Sequence, residues 1–308
     1  MRRSTVVTTR SAFCATLLLC VLCLAPAVLH AQEPDSAATD SLRAPLDSLL
    51  TQTVAEAEQE FAAVAREVGV RDAFLTFLAP QAVVFMPRAS NGRAVYADAP
   101  TEAVLHWAPA RAESAASDDV GYTTGPYTLL ATGSGPVIGH GWYLSVWKRN
   151  EEGVWQAVLD IGTKTAEMPP APNGVDVPSR PAAPPSDVRS RRTALLQLDD
   201  LVAAAAQRRG PRRALGPMLD ATARLNNGGT VVDGGVRIAR ALGDAPVSFH
   251  RLGDGISAAG DLAYTYGEYT LGSLPSMDAP SGNWVRIWRV GADGQWVVVH
   301  MLNAPIEG

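Results

Sequence analysis

Few side chains in this 308-residue chain could do chemistry, and their spacing limits what it could be. Beyond residue 31 the histidines are His106, His140, His250 and His300, and none has a second histidine or a cysteine two to four residues away. Short metal motifs need such spacing, so no metal site is expected and each histidine reads as a structural or surface group. Asp160 stands in an apolar run, "VLDIG". A carboxylate there would either anchor a ligand and exchange protons from a pocket, or act as a structural acceptor. The second reading is preferred, because Met301 holds the matching place later in the chain. No Gly-x-Ser-x-Gly elbow occurs. "GDGISAAG" begins like a dinucleotide fingerprint, but its spacing is wrong and it lies between two strands, so no cofactor is expected. The remaining polar candidates are tyrosines, Tyr122, Tyr264 and Tyr266, together with Glu268.

The elements that must position these groups come in two copies. "GYTTGPYTL" at 121–129 returns as "AYTYGEYTL" at 263–271, a spacing of 142. Trp147 matches Trp288, Gly153 matches Gly294 and Trp155 matches Trp296, all at 141. Agreement at a fixed period marks a duplicated unit. In the first copy Leu46, Leu49, Leu50, Val54, Ala57, Phe61, Val64 and Val68 recur at helical steps up to Gly69. In the second, Leu195, Leu198, Leu201, Val202 and Ala205 do the same up to Gly210. A short helix follows each, "RDAFLTFLAP" ended by Pro80 and "RRALGPMLD".

Strand phrases come next. In the first copy they are "AVVFM" with a turn at Asn91–Gly92, then "VLHWAPARAESAA", "DVGYTTGPYTLLAT", "GHGWYLSVWKR" and "GVWQAVLDIG". All seven tryptophans fall in predicted strands. Closing the last hairpins around "NEEG" and "GADG" places Trp147 opposite Trp155, Tyr143 opposite Leu159, and Trp284 opposite His300. Both sheet faces look apolar, with Leu144, Val146 and Val158 on one and Trp147, Trp155 and Leu159 on the other. The two repeats are therefore expected to pack sheet to sheet as an intramolecular pseudo-dimer.

Composition bounds the rest. Residues 1–31 have a basic start and the apolar run "FCATLLLCVLCLAPAVL", the layout of a secretory signal. Removing them takes away all three cysteines and leaves 23 basic against 31 acidic residues. A periplasmic or secreted protein with no disulfide, no nucleic-acid partner and no membrane anchor is expected. Residues 32–45 read as a disordered segment. "PPAPNGVDVPSRPAAPP", with seven prolines in seventeen residues, places an extended linker at 166–189 between units at 46–165 and 190–308.

A long helix, a short helix and a strongly curved mixed sheet make an α+β, cone-shaped plan. With "AFLTFLAPQAVVFMP", "NGR", "LHWAPARAESAASDDVGYTTGPY" and "WYLSVWKRNEEGVWQAVLDIG", the first repeat resembles the nuclear transport factor 2 superfamily, in particular exported SnoaL-like proteins of unassigned function. The second repeat keeps the strand phrases but loses "NGR" and the aspartate of "LDIG". The resemblance implies a pocket between sheet and helices but no particular reaction. Isomerases of the superfamily use a carboxylate base at the end of the first strand. Met86 stands there in the first repeat and Leu225 or Asn226 in the second, so no catalytic residue is assigned. The expected function is binding of a small apolar ligand or a partner, with an enzyme acting on such a substrate as the alternative. The pocket candidates are Trp107, Tyr122, Trp142 and Asp160 in the first repeat. In the second they are Tyr264, Tyr266, Glu268, Trp284 and His300, with Arg286 placed to pair with Glu268. The second repeat is expected to be the more polar site.

Overall fold

Each half begins with a helix whose buried stripe carries one acidic residue. The computed structural model describes residues 50–99, 102–180, 183–184, 186–272 and 279–306. Residues 1–31, read as a signal, the segment at 32–45, Leu46 and Leu49 lie outside the described residues. In the first half, α1 (Val54–Val68) is opened by Thr53 and Glu56 in a reciprocal capping box and closed at Gly69. It buries Val54, Ala57, Glu58, Phe61, Ala62 and Ala65. In the second half, α4 (Val188–Arg209) buries Arg191, Leu195, Asp199, Val202 and Ala206 and ends at Gly210. Leu201, which the spacing put on the stripe, is 66% exposed, because six residues beyond Leu195 the helix has turned to its far side.

The short helices α2 (Val70–Phe77) and α5 (Pro211–Leu215) follow. α2 stops before Pro80 rather than at it, and strand β1 (Leu78–Phe85) takes Pro80 in. Two further helices were not read from the sequence, α3 (Gly92–Ala97) and α6 (Gly235–Ala241). At Asn91, read as a turn, the side chain caps α3 by accepting from Ala94 N at 3.0 Å.

The first sheet runs in the order β2 (Ala89–Asn91), β1, β7 (Trp155–Lys164), β6 (Val137–Arg149), β5 (Val120–Leu130), β3 (Val104–Trp107), with β4 (Arg111–Ser114) also on β5. The second runs β10 (Val247–Ile256), β11 (Leu262–Leu271), β12 (Ser281–Val290), β13 (Trp296–Pro305), β8 (Leu219–Asn227), β9 (Thr230–Asp233). In each, one parallel pair (β1 with β7, β8 with β13) joins otherwise antiparallel neighbours. The phrase expected as one strand, "VLHWAPARAESAA", is split into β3 and β4 around Pro109, which has no N–H to give the ladder.

The terminal hairpins differ from the expected register by two residues. Arg149 pairs with Trp155 and Val290 with Trp296. The ladder runs on to Asn150 with Val154 and to Gly291 with Gln295, so the turns are 151–153 and 292–294, with Gly153 and Gly294 at φ +82° and +80°. A bulge follows in each hairpin, between Val146 and Trp147 and between Ile287 and Trp288. Tyr143 therefore faces Gly162 rather than Leu159, and Trp284 faces Asn303 rather than His300.

Three buried clusters result. One lies between α1, α2 and the first sheet, and a second between α4, α5 and the second sheet. A third draws on both sheets, joining Tyr122, Leu144, Val146, Leu159 and Ile161 to Val285, Ile287, Val299 and Leu302. Leu159, expected with the tryptophans, belongs to this third cluster. Polar contacts cross between the halves as well. Arg289 donates to Glu113 at 3.1 Å, and Arg111 donates to the Thr222 carbonyl at 2.9 Å. Among the described residues no helix is long and apolar enough to cross a membrane.

Candidate functional site

A cavity of about 910 Å³, open on one side, lies between the helices and sheet of the first half. Its wall is largely aromatic, with Phe61, Phe74, Tyr96, Trp107, Tyr127 and Tyr143. Residues of the second half complete the rim, among them Gly228, Asn283, Ala304 and Pro305. Asp160 is the acidic group in the wall.

The bulge in the last hairpin aims that carboxyl. Before it, Trp155 and Ala157 face the helices; after it, Leu159 and Ile161 face the other sheet. Val158 is the extra residue, and it shifts Asp160 from the face between the sheets to the cavity. Strict alternation from Trp155 would have turned it away. Ser145 Oγ, directly across the ladder, donates to Asp160 Oδ2 at 2.8 Å. Burial pushes the Asp160 pKa up to about 7 against the pull of that hydrogen bond, and the nearby Glu58 carboxyl adds to the rise.

Glu58 sits behind the wall, fully buried on α1. It accepts from Trp107 Nε1 at 2.6 Å, from Trp147 Nε1 at 2.9 Å and from the Thr123 hydroxyl. Burial raises its pKa and these donors oppose the rise. Three polar atoms of the lining are buried without a hydrogen-bond partner among the described residues: Tyr143 Oη, Thr163 Oγ1 and Asn283 Oδ1. The Thr123 hydroxyl close to Tyr143 is already engaged with Glu58 and Trp147. Asn283 Nδ2 donates to the Pro87 carbonyl at 2.6 Å, which leaves its oxygen as the end without a partner. An unmet buried acceptor or hydroxyl costs roughly 1–3 kcal/mol, so a partner supplied by a ligand would be welcome there.

Of the nine residues singled out from sequence, the cavity takes Trp107 and Asp160. Tyr122 and His300 meet elsewhere, between the sheets, with ring centres 5.7 Å apart. There Tyr122 donates to Glu113 at 3.3 Å. Burial first, then Arg224 and Arg111, holds the His300 pKa well below its usual value. Trp142 lies under the Arg224 guanidinium, 5.3 Å from the ring centre. Tyr264 and Tyr266 stack on each other, and Tyr266 meets Phe85 of the first half edge-on. Glu268 pairs with Arg88 at 2.7 Å, not with Arg286.

Trp284 faces the helices of the second half, where it holds Arg286. That arginine, paired with Asp199 at 2.7 Å, lies over Trp284 and Phe249 in the middle of the second half. The aromatic cavity is therefore in the first half, whereas the second was expected to be the more polar site, and the candidates do not converge on one cavity. Met86, where the resemblance looked for a base, stands at the cavity edge. Register makes Asn227 its counterpart, since Val84 beside Asp160 answers to Leu225 beside Met301. Glu58, Tyr143, Thr163 and Asn283 were missed. Glu58 carried a readable signal, an acid on an apolar stripe matched at 141 by Asp199. Among the described residues no group of three or more His, Cys, Asp or Glu side chains could hold a metal ion.

A protein of unknown function from Shewanella oneidensis, described as NTF-2 like, matches 37% of this chain over 98% of its own, at 18% identity and a TM-score of 0.31. A ketosteroid isomerase-like protein from Erwinia carotovora matches 38% over 96% of its own, at 12% identity and a TM-score of 0.31. An NTF2-like protein with a cystatin-like fold from Novosphingobium aromaticivorans matches 39% over 85%, at 18% and 0.32. Each of these relatives is about the length of one half. No family model matches the chain, and no curated protein matches it. These likenesses name no reaction for the chain, so the function must be argued from the cavity.

Proposed function

We propose that the protein binds a small, largely apolar molecule in the first-half cavity, as an exported, non-catalytic module. The reading takes each half as a nuclear transport factor 2-like cone, with residues 1–31 as the signal and the second half as a fixed wall of the site. One observation carries it. An aromatic cavity of about 910 Å³, within the roughly 300–1,000 Å³ of small-molecule sites, contains three buried polar atoms without partners. Apolar walls supply affinity, and a few placed polar groups fix orientation. Native mass spectrometry of the mature protein purified from its own periplasm tests this. The expected result is a non-covalent adduct, absent from a Leu105→Trp variant whose larger side chain fills the cavity. Recovery of the bare chain, together with no thermal shift from a panel of apolar compounds, would overturn it.

One feature favours catalysis as a second reading. A carboxyl with a pKa of about 7 in an aromatic wall suits proton transfer at neutral pH, and Asp160 has that property. On this reading the bound molecule would be turned over. Incubation with the copurified molecule, followed by mass analysis, would show conversion by the wild type and none by Asp160→Asn.

A further inference from the structure

The second half shows what the matching place in the first half is suited to hold. Register equates Trp107 with Phe249, each across from a tyrosine on the next strand (Tyr127 and Tyr269). It equates Tyr143 with Trp284, Ser145 with Arg286, and Asp160 with Met301. Glu58 and Asp199 answer to each other on α1 and α4, each eleven residues before its closing glycine. In the second half these positions form a cation site closed by the chain itself. The Arg286 guanidinium is 4.0 Å from the Trp284 ring centre and 4.3 Å from that of Phe249, and it donates to Asp199 at 2.7 Å. Rings and a carboxylate out of water hold a cation by complementary charge.

The first half keeps the rings and the carboxyl but changes the other two groups. Ser145 replaces the arginine, and Asp160 replaces the methionine, so a cation is lost, an ionisable carboxyl is gained and space opens. We propose that this cavity takes an organic cation, an amine or guanidinium on a small apolar body. Its charged head lies against the Tyr143 and Trp107 rings and within reach of Asp160, where the second half holds Arg286. The proposal rests on the reading that the cavity binds a small molecule. Asn283 Oδ1, an acceptor buried without a partner, asks for a donor in the same way. A bound cation also offsets the burial that disfavours the charged form of Asp160. Its binding therefore releases a proton and strengthens as pH rises through about 7. The titratable groups around Asp160 and in its cavity are Glu58 on α1, Tyr96 on α3, Tyr127 on β5, Tyr143 on β6 and Lys164 on β7.

Calorimetry on the full mature chain with 4-phenylbutylamine, 4-phenylbutanol and 4-phenylbutyrate tests the head group on a nearly constant body. At pH 8 the amine is expected to bind at least tenfold more tightly than the alcohol. Asp160→Asn is expected to bring the amine down to the alcohol's level, with an unchanged circular dichroism spectrum and a cooperative melt showing that the variant is folded. Ser145→Arg, which plants the second half's cation in the first, is expected to abolish amine binding. Alcohol binding as tightly as amine, or carboxylate more tightly than both, would overturn the cation and leave small-molecule binding standing. No heat from any of the three, with no change in melting temperature, would overturn both.

Discussion

Asp160 and Arg286 show how a duplicated site can serve two ends. Asp160 keeps its proton up to about pH 7 in the fold, but an unfolded aspartate releases it near 4. Between those values the folded state binds more protons than the unfolded one, so stability falls as pH rises from about 4 to 7. The loss is complete above 7 and amounts to roughly 4 kcal/mol at about 1.4 kcal/mol per unit. Asp160→Asn keeps an acceptor for Ser145 and removes the ionisation. Urea unfolding at pH 5 and pH 8 should show the wild type weakening at pH 8 and the variant much less. If both lose the same amount, Asp160 is not the group responsible. Arg286 gives the opposite test. Its ion pair with Asp199 is buried on both sides, so Arg286→Met leaves a carboxylate with only Arg251 to serve it. Breaking such a pair costs about 3–5 kcal/mol. Adding Asp199→Leu should recover much of that loss in the same urea assay. A double variant as unstable as the single one would show that packing, not charge, sets the cost.

At the scale of elements, the helix stripes, their closing glycines and the 141–142 repeat were plain in the sequence, because periodicity and Gly–Pro punctuation are local. What escaped were single-residue irregularities with long reach. Val158 cannot be told from a regular strand residue by type, yet as a bulge it decides whether Asp160 faces the cavity or the other sheet. Pro109 was visible, but its effect on β3 and β4 depends on the partner strand. There, Gly125 on β5 lies against the backbone of Ala108 and Ala110, and a Cβ at that point would overlap the Ala108 carbonyl. Gly267 on β11 stands in the same relation to His250, beside the bulge in β10. Glycine is thus required twice by close approach of a neighbouring strand. Gly125→Ala is expected to cost about 3 kcal/mol or more, because backbone rather than a movable side chain must give way. Gly133→Ala, in a loop with open space around it, is the control and should be close to neutral in thermal unfolding. Equal behaviour of the two would remove the argument for close approach.

At the scale of the whole molecule, the sequence announced two copies and an apolar surface on both sides of each sheet. It did not say which residues met across the join, since both faces carry similar side chains and the bulges exchange them. The polar pairs there explain why the halves match as they do. Glu113, buried at 3% exposure, has a pKa raised by burial and held down by Arg289, which in turn reaches Asp220 at 2.9 Å. Around it Leu144, Val146, Leu159 and Ile161 lie against Val285, Ile287, Val299 and Leu302, and at ~25 cal/mol per Å² such a surface stabilises only while it is covered. One consequence concerns assembly. If each half covers the other, the mature chain has no need of a second copy. Light scattering on the eluted protein should give the mass of one chain, and calorimetry a single unfolding transition. Residues 45–187 made alone would expose the apolar face and take from Glu113 the arginine it is hydrogen-bonded to, Arg289. That fragment is expected to associate or fail to fold, and Arg289→Leu in the full chain should cost about 3–5 kcal/mol for the same electrostatic reason. Two separate transitions, or a first half that is monomeric and stable by itself, would mean that the halves fold independently and that the shared cluster contributes little.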